Sequence, residues 1–489
     1  MRPGYSFTTK EGKQYKNAEN ALVDFFRSAA AQRHAVLEKK DNLFQLFGNA
    51  YGVNKNVAVK LVFWLRDPRR GAGEKAASRK LFQLLFEANP DFIYDNLDVI
   101  VKYGYWKDLI MFLDDGRAGT NYIAKYWAEK ITGGDGLAAK WAPRLHSKYH
   151  KAAVKIKDAM GVSNSEYRKI LKDKSNTVEQ VMTQGLWDSI IYDHVPSNAM
   201  KIYKKAFRTH DVDRFVSWIT SDKTKANAGA IYPHEILMMS YNENEHELAQ
   251  KMWDNLPDFI KNDEKFMVIL DTSGSMECGG FGKATPAIIG VALTIYLAER
   301  NASEFKNTFI SFSEEPHIIG IPKTGTLAEK YRKIMRTDWG GTTNFEAAYK
   351  LILEKAVQNK LRQSDMPTML LIISDMQFDG TARGDTHLVA IQDEYKKWGY
   401  KVPKLIFWNL NEAYTGSPAT ADDKNVGLVS GFSPSLMEAV LACKSFLPID
   451  LVMETVKKYD GIDTKSLPDL VDIDDAIIRC NKSGWITKL

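Results

Sequence analysis

Residues 266–276 read Phe-Met-Val-Ile-Leu-Asp-Thr-Ser-Gly-Ser-Met. The continuous apolar run over Phe266–Leu270 is typical of a strand that is buried on both faces of a sheet. It ends in Asp271, Ser273 and Ser275, which place one carboxylate and two hydroxyls on a tight turn. Oxygen donors of this kind suit a hard divalent cation that keeps several of its waters. The turn is therefore the first candidate for a functional site.

The pattern around this turn predicts an α/β domain that begins near residue 263. Strand-like runs at 308–312, 369–373 and 404–408 alternate with helical periods at 286–299, 344–357, 387–398 and 433–443. Such alternation predicts a doubly wound, mainly parallel sheet with helices on both faces. Ligands of these sheets bind beyond the carboxyl ends of the strands, near the point where the strand order reverses. Asp271 and Asp375 each follow a predicted strand, so we expect both at this edge.

Three segments are expected to meet there. They are Asp271-Thr-Ser-Gly-Ser275, Trp339-Gly-Gly-Thr-Thr-Asn344 and Ser374-Asp375. Two carboxylates with several hydroxyls suit magnesium, and an open coordination position would capture an acidic group of a partner. The alternative is an Asp/Ser turn that caps a helix and holds no metal.

These segments resemble the metal-ion-dependent adhesion site of von Willebrand factor A (vWA) domains, whose pattern is DxSxS, a threonine on a second loop and an aspartate on a third. The resemblance spans residues 263–445. It implies a bound Mg²⁺, or Mn²⁺ or Ca²⁺, and an acidic protein partner. The implied metal ligands are Asp271, Ser273, Ser275, Thr343 and Asp375, with the adjacent Thr342 as the alternative on the second loop.

The first half of the chain has a different hydrophobic pattern, without alternating strands and helices. Residues 20–262 show successive helical periods broken by Pro and Gly, which predicts an all-α, HEAT-like array of helical hairpins. Whether the array closes into a ring stays open. The predicted domains are therefore a helical module over 1–262, a vWA-type domain over 263–445, and a tail over 446–489 that packs on the helical module.

Several phrases of this half resemble a family of unassigned function from viruses, plants and fungi that joins a helical module to a C-terminal vWA domain. They include Arg66–Glu74, Ala138–Pro143, Trp187–Tyr192, Val195–Ser197 and Pro233–Glu235. The architecture is similar to that of the Ro autoantigen, whose TROVE module is a ring of helical repeats that binds RNA. The resemblance therefore implies RNA as a partner.

A basic segment supports the same expectation. Residues 137–177 hold ten Lys and Arg against three Asp and Glu, interleaved with Trp141, Tyr149 and Tyr167. Clustered cations with aromatic rings are typical of surfaces that bind phosphate backbones and unstacked bases. The alternative is a solvated helix face with a few core aromatic residues. The candidate RNA-binding residues are Lys140, Arg144, Lys148, Lys151, Lys155, Arg168 and Lys169.

The bulk composition narrows the function classes. A chain of 489 residues is expected to form more than one domain, and its net charge of +5 does not by itself indicate nucleic-acid binding. Its three cysteines lack paired spacing, which favours a reducing compartment. Without a signal peptide or a long apolar span, the expected location is the cytoplasm, or the host cytoplasm for a viral protein.

An enzyme is not expected. The glycine-rich run Gly279–Lys283 is followed by Ala284, where a phosphate-binding loop needs Ser or Thr, and neither Ser273 nor Ser275 lies in a G-x-S-x-G turn. We therefore expect a non-enzymatic, Ro-like RNA-binding protein whose vWA domain binds a cation and an acidic partner. The alternatives are an adaptor that works with a MoxR-type AAA+ ATPase and a viral structural or assembly protein, both without nucleic-acid binding.

Overall fold

The computed structural model describes residues 5–7, 13–15, 18–30, 36, 41–113, 120–175, 177–260, 265–277, 284–301, 303–312, 315–337, 339, 345–376, 384–410, 424–443 and 447–483. The chain divides into two compact units, each assembled from separated segments. The sheet unit comprises Met1–Val57, Arg70–Ala72 and Ile231–Lys458, and the helical unit comprises Ala58–Arg69, Gly73–Ala230 and Tyr459–Leu489.

The regular elements are numbered here along the chain. The strands are β1 Tyr5–Phe7, β2 Lys13–Tyr15, β3 Phe266–Asp271, β4 Thr308–Phe312, β5 Ile318–Gly320, β6 Met369–Ser374, β7 Lys404–Asn409 and β8 Val426–Ser430. The α-helices are α1 Ala21–Ala29, α2 Leu43–Val53, α3 Lys55–Arg66, α4 Lys75–Ala88, α5 Pro90–Asp95, α6 Leu97–Tyr103, α7 Ile110–Leu113, α8 Thr120–Thr132, α9 Gly136–Trp141, α10 His150–Met160, α11 Asn164–Ser175, α12 Val178–Thr183, α13 Ser197–His210, α14 Val212–Thr220, α15 Pro233–Met239, α16 His246–Asp254, α17 Pro286–Arg300, α18 Leu327–Met335, α19 Phe345–Gln358, α20 Gly384–Lys397, α21 Leu436–Ala442, α22 Pro448–Val456 and α23 Leu470–Ser483.

Aromatic packing and capping build the helical unit. The rings of Phe63 on α3 and Phe82 on α4 pack edge to face with centroids 5.1 Å apart. Asn89 separates α4 from α5, and its side chain accepts a hydrogen bond from the N–H of Asp91. The indole N–H of the buried Trp127 donates to the backbone oxygen of Ala138 at 2.9 Å, which ties α8 to α9. Apolar faces at helical spacing therefore find partners on neighbouring helices.

In the described residues of the sheet unit, six strands form one sheet in the order β5-β4-β3-β6-β7-β8. Every pairing is parallel except that of β5 with β4. Along the chain, β4 and β5 extend the sheet on one side of β3, and β6, β7 and β8 then extend it on the other side. The strand order therefore reverses between β3 and β6. All residues of β3 and β6 are buried, which accounts for their continuous apolar runs.

Helices cover the sheet. Helix α17 packs against β3, while α1 and α22 pack against β8. The hydroxyl of Ser430 on β8 donates to the backbone oxygen of Phe26 on α1 at 3.4 Å. The N-terminal helix α1 thus covers part of a sheet whose strands come from the second half of the chain.

The predicted fold class is confirmed, because a mostly helical part precedes a doubly wound, mainly parallel sheet. The compact units do not follow the expected domain limits at 262 and 445. Helices α1, α2, α15 and α16 belong to the sheet unit, because their apolar faces pack there. The expected tail is shared: α22 packs against β8, and α23 packs on α4 in the helical unit. No helix in the described ranges is long and apolar enough to span a membrane.

Candidate functional site

The carboxyl end of β3 carries Asp271, whose side chain is completely buried. Its Oδ1 accepts a hydrogen bond from the backbone N–H of Ser273 at 2.9 Å. Its Oδ2 accepts one from the hydroxyl of Ser374 at 2.5 Å. Ser374 ends β6, and the parallel register that pairs Leu270 with Ile373 brings it beside Asp271. The ends of two neighbouring strands therefore fix the orientation of this carboxylate.

The turn after β3 presents two hydroxyls. The Oγ atoms of Ser273 and Ser275 lie 2.9 Å apart, with Ser273 buried and Ser275 partly exposed. Helix α17 supports this turn at Gly290, where a Cβ would lie 3.0 Å from Cδ1 of Leu270 and 3.3 Å from Cε of Met276. The close approach of the helix holds both the strand end and the turn in place.

A second carboxylate, that of Asp375, follows β6 and is also completely buried. Desolvation, and then the negative charge of Asp375, raise the pKa of Asp271 to about 6. The hydrogen bonds from Ser374 and Ser273 act in the opposite direction. The next residue, Met376, has a left-handed backbone with a φ of 64°, and its N–H donates to Oγ of Ser374 at 2.9 Å. Two buried carboxylates that repel each other are stabilised by a cation, so this pair fits a metal ion.

Four of the predicted metal ligands, Asp271, Ser273, Ser275 and Asp375, thus come from the two strand ends at the reversal of strand order. Thr343, its alternative Thr342 and the glycine-rich run 279–283 lie outside the described residues. Within the described ranges, no cluster of three or more His, Cys, Asp and Glu could hold a metal ion. A site built from two carboxylates must therefore complete its coordination with hydroxyls and water, which is the donor set that magnesium accepts.

The predicted RNA-binding residues lie on or between α9, α10 and α11 of the helical unit. The exposed members are Arg144, Lys148, Lys151, Arg168 and Lys169, and the partly buried members are Lys140 and Lys155. Nζ of Lys140 lies 3.1 Å from Oε1 of Glu179, and Nζ of Lys155 donates to the backbone oxygen of Leu113 at 2.8 Å. These two lysines have structural partners, whereas the exposed members face solvent.

The aromatic residues of this segment divide in the same way. Tyr167 is completely buried and donates to the backbone oxygen of Pro143 at 3.0 Å, so it is a core residue and cannot stack on a base. Trp141 and Tyr149 are partly exposed. Nζ of Lys148 lies 4.9 Å from the ring centroid of Tyr149. Trp141 and Tyr149 are therefore the rings that remain available beside the cations.

Sequence reasoning missed Lys107, which the fold brings to this surface. Its Nζ lies 4.2 Å from the ring centroid of Trp141, and that of Lys140 lies 5.1 Å from the same ring. Desolvation, with the charges of neighbouring cations, lowers the pKa of Lys107. A local signal existed, because Lys107 follows the aromatic pair Tyr105-Trp106. Lys107 was not recognised as part of this surface because it lies 30 residues before the basic segment begins at residue 137.

Comparisons with known proteins are consistent with this organisation. Residues 8–126 and 151–265 match the family model of a domain of unknown function, DUF2828. Residues 265–467 match that of a second domain of unknown function, DUF7788. An uncharacterized protein of Acanthamoeba polyphaga mimivirus is 27% identical over 517 residues, covering 93% of this chain and 87% of that protein.

Two solved structures are also similar to the chain. The Ro (RSR) protein of Deinococcus radiodurans is 14% identical with a TM-score of 0.38, and the match covers 87% of this chain and 93% of that chain. The vWA domain of SpRpn10 is 15% identical with a TM-score of 0.24, and the match covers 38% of this chain and 97% of that chain. At these scores the fold assignment rests on the strand order of the sheet. The predicted organisation, a helical module of unassigned function followed by a doubly wound, mainly parallel sheet domain, is confirmed.

Proposed function

We propose that the sheet unit binds a divalent cation at the carboxyl ends of β3 and β6 and uses it to hold an acidic group of a protein partner. The observation that carries this proposal is the buried pair Asp271 and Asp375, beside the two hydroxyls of Ser273 and Ser275. No catalytic role is assigned to these residues. The chain acts as a binding protein.

The donor set decides which cation and which partner fit. Asp271 and Asp375 would supply the negative charge, and Ser273, Ser275 and Thr343 would supply neutral oxygens. So few anionic ligands leave a hard cation such as Mg²⁺ electropositive, and the bound ion would supply a coordination position for a carboxylate. The hydrogen bonds from Ser273 and Ser374 orient Asp271 before any ion binds.

Isothermal titration of the full chain with MgCl₂, MnCl₂ and CaCl₂ tests the site. We expect binding by the unmodified chain and none by the double variant Asp271→Ala/Ser273→Ala. Asp393→Ala is the matched control, because it removes an exposed carboxylate on α20 of the same unit and should bind normally. Unchanged binding in the double variant would defeat the proposal, and thermal unfolding of each variant shows whether it has folded.

A second function, RNA binding, is favoured by the cations beside exposed rings in the helical unit. Lys107 and Lys140 lie against Trp141, and Lys148 lies against Tyr149. Such an arrangement binds phosphates through charge and unstacked bases through the ring faces. The surface therefore supports single-stranded or looped RNA as the ligand.

Filter binding of a structured RNA across a salt series tests this function. We expect the logarithm of the affinity to fall linearly with the logarithm of the salt concentration, and the slope to decrease in Lys148→Ala/Lys151→Ala. Affinity that is absent at low salt, or that does not respond to salt, would reject RNA binding.

If RNA binding is rejected, the two alternatives are an adaptor protein and a viral structural or assembly protein. Metal-dependent capture of a MoxR-type AAA+ ATPase that is lost in Asp271→Ala would favour the adaptor. The mimivirus relative is compatible with a viral assembly role, and the host cytoplasm is the location that such a role implies.

A further inference from the structure

Two arginines of the helical unit are almost completely buried and share one carboxylate. Nε of Arg66 donates to Oδ2 of Asp108 at 2.8 Å, and Nε of Arg79 donates to Oδ1 of Asp108 at 2.7 Å. Asp108 is fully buried, and Arg66 and Arg79 are 2% and 8% exposed. Within the described part of the chain, neither arginine uses another N–H in a hydrogen bond. Each guanidinium therefore keeps terminal donors for an acceptor that these residues do not supply.

The carboxylate next to Arg66 in sequence is engaged elsewhere. Oδ1 of Asp67 accepts the backbone N–H of Arg69 at 2.9 Å, and its Oδ2 accepts the hydroxyl of Tyr459 at 3.2 Å. Asp67 therefore does not supply the missing acceptor. The arginines remain with a single shared counter-charge.

Two lysines add charge at the adjoining surface. Lys75 begins α4 one turn before Arg79, on the same helix face, and Lys107 directly precedes Asp108. Both lysines are exposed, and among the described residues neither forms an ion pair. The charges that act on the Lys75 amine include those of the other three cations. We name these residues the four-cation cluster: Arg66, Lys75, Arg79 and Lys107.

We propose that the four-cation cluster is a binding site for a phosphate group. The planar guanidinium forks match the geometry of phosphate oxygens, and the two exposed lysines supply additional point charges. A phosphate monoester carries about −1.5 to −2 charges near neutral pH. It therefore neutralises more of the positive charge of four cations that share only Asp108 than a ligand with one carboxylate would.

The protonation of Lys75 agrees with an anion site. Desolvation, and then the charge of Arg79, lower the pKa of Lys75 to about 8. An anion that binds beside the amine offsets the repulsion from neighbouring cations. A negatively charged ligand would therefore stabilise the cluster. Its residues are distinct from the candidate metal ligands, and Lys107 alone is shared with the proposed RNA-binding surface, where it lies against Trp141.

The phosphate can come from a small molecule or from the 5′ end of an RNA. Isothermal titration of the full chain with inorganic phosphate and with a nucleoside monophosphate tests the shared chemistry. We expect binding that weakens by about tenfold or more in Lys75→Ala/Lys107→Ala. Lys125→Ala, which removes an exposed lysine on α8 of the same unit, is the matched control and should bind as the unmodified chain does. Lys75→Arg keeps the charge and should retain most of the affinity.

One RNA oligonucleotide, made with a 5′ phosphate and with a 5′ hydroxyl, separates the two sources. Tighter binding of the phosphorylated form, lost in the double variant, identifies the RNA end as the source. Equal binding of both forms, with phosphate still bound, identifies a small phosphate compound. Failure of inorganic phosphate, the mononucleotide and the 5′ phosphate to bind would overturn the proposal, as would equal weakening by Lys125→Ala. RNA binding that depends on Lys148 but not on the 5′ phosphate would leave the proposed RNA function standing without this site.

Discussion

Replacing Asp108 by alanine tests the energetics on which the four-cation cluster depends. The substitution leaves Arg66 and Arg79 as buried charges without a counter-charge, which costs about 3–5 kcal/mol. Two charge-assisted hydrogen bonds of about 1.5–3 kcal/mol each are lost, together with the bond from the N–H of Tyr105 at 2.9 Å. The side chain of Asp108 is 0% exposed and those of the arginines are 3% and 10% exposed. Water therefore has little access to the arginines and cannot replace the lost carboxylate.

Hydrogen exchange measured by mass spectrometry is the appropriate assay, because it resolves the opening free energy of α4 and α8 separately from that of the sheet. Asp98→Ala is the control. Asp98 also accepts two hydrogen bonds, from Lys130 and Tyr126 at 2.7 Å each, but its side chain is 73% exposed. A loss of under about 1 kcal/mol is expected there. Similar losses in both variants would refute the argument from burial.

Three further outcomes are expected. Lys75→Met should stabilise the protein below about pH 8, and the gain should shrink towards pH 10.5, because the lowered pKa means that the folded chain binds this proton less tightly than the unfolded chain; thermal unfolding at pH 7, 9 and 10 measures it. Gly104→Ala should destabilise the helical unit by about 1–3 kcal/mol, because the new Cβ would lie 2.5 Å from Oδ2 of Asp108 and 2.8 Å from a backbone oxygen; equal exchange in the variant and the unmodified chain would contradict this. Trp141→Ala should weaken RNA binding by about 1–3 kcal/mol per stacked base, whereas Tyr167→Phe should leave RNA affinity unchanged and cost about 1 kcal/mol of stability; filter binding and denaturation separate the two effects.

The sheet could be predicted from sequence where the signal is local. The apolar runs of β3 and β6 are continuous because both strands are buried on both faces, and each ends in a carboxylate or hydroxyl that marks the sheet edge. The rule that strand order reverses at the binding edge then places Asp271 and Asp375 together without any knowledge of contacts. The strands β5 and β8 were not predicted: β5 has only three residues, two of them exposed, and Gly427 interrupts the apolar run of β8.

Contacts between distant segments lay beyond sequence reasoning. Asp67 follows Arg66 directly in sequence, yet Arg66 pairs with Asp108, which lies 42 residues away. Tyr167 looked like one more ring among surface cations, and only the packing of α11 shows that it points into the core. Propensity and spacing report which face of a helix is apolar, but not which helix covers it.

The contact of α1 with β8 has a consequence during synthesis. Ser430 and Phe26 are 404 residues apart, yet they share a hydrogen bond inside one sheet unit. At about 5–20 residues per second, the ribosome needs roughly 20–80 s to deliver β8 after α1 has emerged. During that time β8 cannot cover the apolar side of α1, which includes Phe25 and Phe26. We expect a chaperone to bind this exposed apolar surface. A fragment limited to residues 263–445 would carry the opposite defect, because the surface of β8 that α1 covers would be permanently exposed to self-association.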